Sequence, residues 1–578
     1  MKKLSFALAL IMLLSMLTGL TAGCAEEGAT YEQTLFDRSK PIEIDIQMDD
    51  ETWNNMIANA ENEEYAACNL VVNGVMYENV AIRPKGNSSL ASVSSRGSER
   101  FSWRIKFDKY EKKRTCDGLD ILILNNGFQD AGELKEAIAY DMYAFLDADA
   151  SLYNYAIVYH NGEYFGCYLA LEGVDKSFAK RNYGEDYGKL YKPEIDKGGD
   201  KAREDGGDDD GFGNSFGGKG GFPAMPDFSG QVPGGSSGVS AAPAQGDAQA
   251  PAQGDSRNSG DDGDGSSFGG SAGGQMPAAP EGAGQGNMPQ GFNFGMPGMG
   301  SGGARTETEL ARALNYVGDD LEAYQSIWDS AKFKTEETDY RRVVEALKHV
   351  SERDGIGDYV DVDNVLKYMA IQAFIYNNDG LTDEETHNYY LYEENGRLNL
   401  IPWDMNQSFS VSGNGSDYVN FPIDTPFTVS DLSERDFFMA LLENEEYLAK
   451  YHEYLRQLSE EYVLGGALAA TLERIHEEID TYVETDPTAF STYEQFSAAA
   501  RSLQAAAELR AQSVLGQISG EIPSTREGQT AEPDKLLDTG SADLSGLNSM
   551  GIGGMNFGNF TMPNMPDMQN FPNMPGNP

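Results

Sequence analysis

The chain has 578 residues, with 43 Lys+Arg against 92 Asp+Glu, a formal net charge of −49 and a pI near 4.3. This length predicts one large domain with additions, or two to three domains. A surface so acidic repels phosphates, which excludes non-specific nucleic-acid binding and suits a secreted protein or one with a basic partner.

The N-terminus opens with Lys2-Lys3, an apolar run from Phe6 to Leu20 and small residues before Cys24. A basic start, a short apolar core and small residues predict a secretory signal over 1–24, not a structural helix. Ala22-Gly23-Cys24 is similar to a bacterial lipoprotein signal, in which Cys24 is lipidated and becomes the new N-terminus. Ordinary cleavage and full release is the alternative, because Thr21 stands where that pattern prefers Leu. Residues 25–36 then form a tether. No second run of 18 or more apolar residues follows, so no transmembrane span is expected. Cys68, Cys116 and Cys167 are too few and odd for a disulfide framework, and their spacing fits no zinc motif. There is no Gly-x-Ser-x-Gly and no P-loop, and the five His are scattered.

From Pro41 the alternation IEIDIQM predicts a strand, and DDETWNNMIANAENEEY a helix. NLVVNGVMYENVAIRPKG and FSWRIKFDKY read as strands, the first turning at Asn73-Gly74. Residues 119–124 predict a buried strand, 133–146 a helix, and 153–172 a hairpin turning at Asn161-Gly162. The layout is α+β, spanning 37–196. Residues 197–305 are Gly, Pro, Ser, Ala, Asp and Met without aliphatic periodicity, which predicts a long disordered insertion. Helices are expected at 306–329, 336–352 and 361–376, then a hairpin, then helices at 434–463, 465–483 and 491–519. That second part of the domain covers 306–520, and a low-complexity tail runs over 521–578. Insertion and tail hold 11 of the 21 Met residues. Thioethers bind Cu(I) and Met/Phe stickers bind partners, but a flexible surface linker and tail is the favoured reading of this composition.

Residues 376–409 carry the densest chemistry: Asp379, then His387-Asn388-Tyr389, then Pro402-Trp403-Asp404. NYYLY and LNLIPW, joined by Glu394-Asn395-Gly396, predict a tight hairpin with Asp379, Asn388 and Asp404 at one edge. Two carboxylates and an amide at one edge make an oxygen cage for a hard cation such as Mg²⁺. The arrangement parallels phosphoryl transfer in protein kinases, where one Asp orients the hydroxyl while an Asn and a second Asp hold metal. Asp and Asn at strand ends are also ordinary turn residues.

A second cluster is cationic: Arg83, Lys85, then Arg100, Arg104 and Lys106, with Gly86 allowing backbone approach to an anion. It reads either as a phosphate site or as a solvated basic face. Glu172, ending a strand, is a candidate partner for one of these cations, and Lys192 is a further candidate.

Together these pieces resemble the spore-coat CotH family of atypical kinases. The matching residues are RPKGNSS (83–89), RFSWRIKFDKY (100–110), GLDILILNN (118–126), NGEYFGCYLALE (161–172) and RNYGEDYGKLYKPE (181–194). They continue with YVDVDNVLKYMA (359–370), HNYYLY (387–392) and IPWDMNQSF (401–409). The resemblance covers roughly 37–196 and 306–520. It implies a reduced kinase-like α+β fold, ATP with Mg²⁺ or Mn²⁺, and transfer of the γ-phosphoryl to Ser or Thr of secreted or coat proteins. By position it implies Asp379 as the catalytic Asp, and Asn388 and Asp404 as metal ligands. Protein kinases separate the catalytic Asp from the Asn by five positions, which fits Asp383, whereas Asp379 is nine away. Met405-Asn406 follows Trp403-Asp404 where the family often has a second Asp. Lys85, Arg104 and Lys106 compete for the phosphate. A non-catalytic role in coat assembly or adhesion is the alternative.

Overall fold

The computed structural model describes residues 30–86, 88–194, 305–384, 386–411, 413–540 and 542–547. The expected signal, tether start and Cys24, the insertion from 195 to 304, and the tail from 548 lie outside these residues.

The first half runs β1 (Ile42–Gln47), α1 (Asp50–Ala58), β2 (Ala66–Val72), β3 (Val75–Lys85), β4 (Ser102–Lys106) and β5 (Ile121–Asn125). It continues with α2 (Lys135–Phe145), β6 (Tyr153–His160), β7 (Glu163–Glu172) and β8 (Lys189–Tyr191). Strands β1 to β7 close into a barrel in the order β1-β2-β3-β4-β5-β7-β6. The seam is a parallel pairing of β1 with β6, Ile42 beside Ala156 and Ile46 beside His160. Period-two alternation sends Ile42, Ile44, Ile46, Trp103, Ile105 and Leu122 into the barrel. The turns Asn73-Gly74 and Asn161-Gly162 have φ of 48°, 84°, 51° and 83°, the left-handed pair that a two-residue hairpin needs. All five residues of β5 are buried, because α2 covers its outer face.

The second half runs α3 (Glu337–Ser351), α4 (Val362–Ile375), β9 (Tyr389–Glu394), β10 (Arg397–Pro402), α5 (Asp436–Leu442), α6 (Glu445–Gln457), α7 (Ala467–Glu484) and α8 (Tyr493–Ser519). Strands β10, β9 and β8 form a three-stranded antiparallel sheet, so the strand before the insertion pairs with the hairpin after it. Helix α4 is buried along nearly its whole length, which fits its all-round apolar sequence and makes it the central helix.

The mixed α+β expectation holds, and three boundaries differ. The helix expected at 306–329 stops after Arg312, because Leu314 (φ 63°) and Gly318 (φ 121°) take left-handed conformations. The helix expected at 434–463 divides at Asn444, whose side chain accepts from the amides of Glu446 and Tyr447 and caps α6. The tail expected to lose structure at 521 instead packs on α8 as far as 547. Leu544 and Leu547 are buried, and the Lys135 Nζ donates to the Leu547 carbonyl at 3.1 Å.

Candidate active site

Helix α4 ends at Tyr376, and the chain then loops to β9 carrying Asp379. A second loop, 404–411, leaves β10 beside it. The two are laced by the Phe409 amide donating to the Ile375 carbonyl (2.7 Å) and Ser410 Oγ donating to Asn378 Oδ1 (3.3 Å). At the bend a Cβ on Gly380 would lie 2.9 Å from Asn377 Nδ2, so that amide would have to shift. The Asp379 carboxylate accepts from Asn388 Nδ2 (3.1 Å) and Gln407 Nε2 (2.9 Å) on one oxygen. His387 Nε2 lies 3.2 Å from the other oxygen. Asn388 Nδ2 also donates to the Asp379 carbonyl at 2.8 Å. Three side chains therefore fix one half-buried carboxylate.

The backbone here is strained. Tyr376, Thr386, Asn388, Asp404 and Phe409 have φ between 46° and 57°. Such conformations cost on the order of 1–3 kcal/mol each and concentrate at functional sites. Thr386 is β-branched and fully buried, and its Oγ1 accepts from Arg312 Nε at 3.1 Å.

Asp404 belongs to a different cluster. It lines an open cleft with Lys85, Asn125, Glu136 and Asn406. Lys85 Nζ donates to Asn125 Oδ1 (2.9 Å), and Asn125 Nδ2 donates to Glu136 Oε2 (2.7 Å). An amide thus relays between the strand lysine and the helix glutamate. Burial, and next the charge of Asp404, push the Glu136 carboxyl up to about 7, against the pull of Asn125, Lys85 and the Met405 amide. Glu136 Oε1 and Asn406 Oδ1 are buried and accept no hydrogen bond. Lys85 and Lys192 both lie over the Trp403 ring, at 5.4 and 6.0 Å from its centre. Gly86, also lining the cleft, has φ 134°, a conformation open to glycine.

The other candidates fall elsewhere. Arg83 pairs with Glu63, Arg104 with Asp175 (4.0 Å) and Lys106 with Asp108 (3.9 Å), and none of these three cations lines the cleft. Lys192 pairs with Glu194 at 2.7 Å. The expected pairing of Glu172 with the basic cluster is wrong. Glu172 is fully buried and bound by Arg181 (2.6 and 3.1 Å) and by Tyr31 OH (2.6 Å), because the helix over 176–183 brings Arg181 to the end of β7. The Asp383 side chain accepts from Thr428 and its carbonyl from Arg435, so it anchors its own loop while Asp379 takes the contact with Asn388. Burial raises its carboxyl above the ordinary value.

Asn388 Nδ2 binds Asp379, whereas Asp404 lines the cleft with Glu136. Among the described residues no three His, Cys, Asp or Glu side chains are grouped to hold a metal. The oxygens at Asp404 nevertheless fit a hard cation, since two neighbouring acceptors lack donors. Glu136, Asn125, His387, Gln407 and Asn406 had no role assigned from sequence. The one signal for Glu136 was a charge inside the apolar run EAIAYDMYAFL.

No curated protein matches the chain. The family model described as CotH kinase protein matches residues 82–215 and 307–514, including Lys85, Glu136, Asp379, Asn388 and Asp404. With the match covering more than half of its length, the chain belongs to the CotH kinase family.

Proposed function

We propose that the protein is an atypical kinase with a reduced kinase-like fold, which moves the γ-phosphoryl group of ATP to Ser or Thr hydroxyls of surface or coat proteins. It works outside the cell, held to the membrane by lipid on Cys24. The observation that carries this reading is the Asp379 carboxylate, fixed by Asn388, Gln407 and His387 next to a cleft lined by Lys85 and Asp404. Asn406 lines that cleft and Gln407, the next residue, holds Asp379, so the two clusters are joined through one loop.

In this reading Asp379 orients the acceptor hydroxyl and takes its proton. The hydroxyl oxygen bonds to the γ-phosphorus as the bond to the bridging β–γ oxygen breaks, and ADP leaves. Lys85, held by Asn125, meets the phosphate charge. A cation at Asp404, Mg²⁺ or Mn²⁺, supplies further charge neutralisation when bound. A net charge of −49 favours basic acceptor segments.

The test is γ-phosphate transfer by the full mature chain to Ser-rich basic acceptors, with Mg²⁺ and with Mn²⁺, beside Asp404→Ala. Transfer lost in the variant supports the assignment. Undiminished transfer in Asp404→Ala overturns it. No transfer by the wild type, and no stabilisation by Mg-ATP, moves the function to coat assembly or adhesion.

A further inference from the structure

We infer that residues 537–547, Ser541 apart, form an intramolecular strap that ties the start of α2 to the chain following Asp404, and so positions two walls of the cleft. The inference deepens the reading of this cleft as a site of phosphate transfer, and its first readout does not need that reading.

Three ties carry it. At one end, Asn420 Nδ2 donates to the Leu537 carbonyl and Asn420 Oδ1 accepts from the Leu537 amide, both at 2.9 Å. Asn420 is buried and closes the short helix Ser416–Val419, in the segment that begins at Asp404. Leu544 packs closely on the same segment: a Cβ on Gly415 would lie 2.5 Å from Leu544 Cδ1 and 3.2 Å from Val411 Cγ1. At the far end, Nζ of Lys135, the first residue of α2, donates to the Leu547 carbonyl at 3.1 Å. Lys135 is 2% exposed and directly precedes Glu136, which lines the cleft.

Helix α8 is the bed on which the strap lies. Ser502 Oγ donates to the Asp543 carbonyl at 2.8 Å. A Cβ on Gly546 would lie 2.9 Å from Ala499 Cα, and one on Gly132, in the loop entering α2, would lie 2.9 Å from Ala499 Cβ. The strap and the entry to α2 therefore meet α8 at the same residue. Asp130 shapes that entry: it accepts from the amides of Gly132 (3.1 Å) and Lys135 (2.7 Å) and itself lines the cleft. A buried ammonium is costly without an acceptor, so the Leu547 carbonyl favours the seated strap. Leu544 and Leu547 add apolar burial. These attachments are few, so the strap opens more readily than the core. The family match ends at residue 514, and the strap lies beyond it.

The experiment is hydrogen–deuterium exchange on the full mature chain, with wild type beside Leu544→Ser, Leu544→Met and Lys135→Met, and phosphate transfer recorded for each. Leu544→Ser should speed exchange about ten-fold at 411–420 and also at 135–138, at the strap's other end, while β2 and β3 keep wild-type rates. Lys135→Met should speed exchange at 543–547 and at 411–420, and it provides the informative variant if Leu544→Ser does not fold. Leu544→Met should restore the wild-type pattern. Transfer should fall about ten-fold in Leu544→Ser and return in Leu544→Met. Faster exchange confined to 537–547 in both Leu544→Ser and Lys135→Met, or undiminished transfer by Leu544→Ser, overturns the proposal. Exchange coupled between the two ends, with no transfer by the wild type, would leave the strap standing and remove the kinase reading instead.

Discussion

Asp379 and Glu136 are both carboxylates of one candidate site, built in opposite ways. The Asp379 side chain is 25% exposed and meets three polar side chains. Glu136 is buried in a polar cleft, bonded by Asn125, with its carboxyl pushed up to about 7. In the proposed reaction the accessible, oriented Asp379 would take the proton, while Glu136 stays buried behind the relay from Lys85 through Asn125, beside Asp404. The contrast suggests which half should fail in chemistry and which in Mg-ATP binding.

The largest effect is expected at Asp379. Asp379→Asn should lower phosphate transfer by about 10³-fold and leave the thermal shift on adding Mg-ATP intact. A loss of that shift would place Asp379 on the metal side and break the comparison. Glu172→Ala comes next and touches stability, not catalysis. It strips the partner from Arg181 and should cost about 3 kcal/mol in denaturant unfolding. Gln407→Ala should reduce turnover by about ten-fold with the Michaelis constant for ATP unchanged, with rescue by Gln407→Asn, because its amide only orients Asp379. An effect on ATP affinity instead would mean that Gln407 serves the cleft.

The smallest effect is a pH dependence far from the site. Asp120 is buried, and burial with the charge of Asp175 pushes its carboxyl from 3.8 to about 7, while hydrogen bonds from Ser177 pull it down. The folded state therefore holds a proton that the unfolded state releases, so stability falls as pH rises from about 4 to 7. Asp120→Asn should flatten this slope, gaining about 2 °C in melting temperature at pH 8 relative to pH 5. A wild-type slope of the opposite sign would contradict the assignment.

The contact between Asp379 and Asn388 was legible because it is local: an apolar helix, a loop and a strand start bring residues nine apart into reach. The hairpins at Asn73-Gly74, Asn161-Gly162 and Asn395-Gly396 were legible for the same reason, through turn chemistry. Closure of the barrel was not, since the β1–β6 seam joins segments about a hundred residues apart and strand pattern does not name the partner. Nor was the relay from Lys85 through Asn125 to Glu136, in which β3, β5 and α2 each provide one member and no spacing links them. Residues 521–547 were misjudged because polar residues, Gly and Pro fill most of that stretch, while Ile522, Leu544, Leu547 and a handful of backbone bonds hold it in place.

Asp379 and Asp383 offer the most direct test. The full mature chain, Asp379→Asn and Asp383→Asn would be compared for γ-phosphate transfer in Mg²⁺ and in Mn²⁺. A kinase centred on Asp379 predicts transfer by the wild type and by Asp383→Asn, and none by Asp379→Asn. Transfer surviving in Asp379→Asn, or lost only in Asp383→Asn, would contradict it.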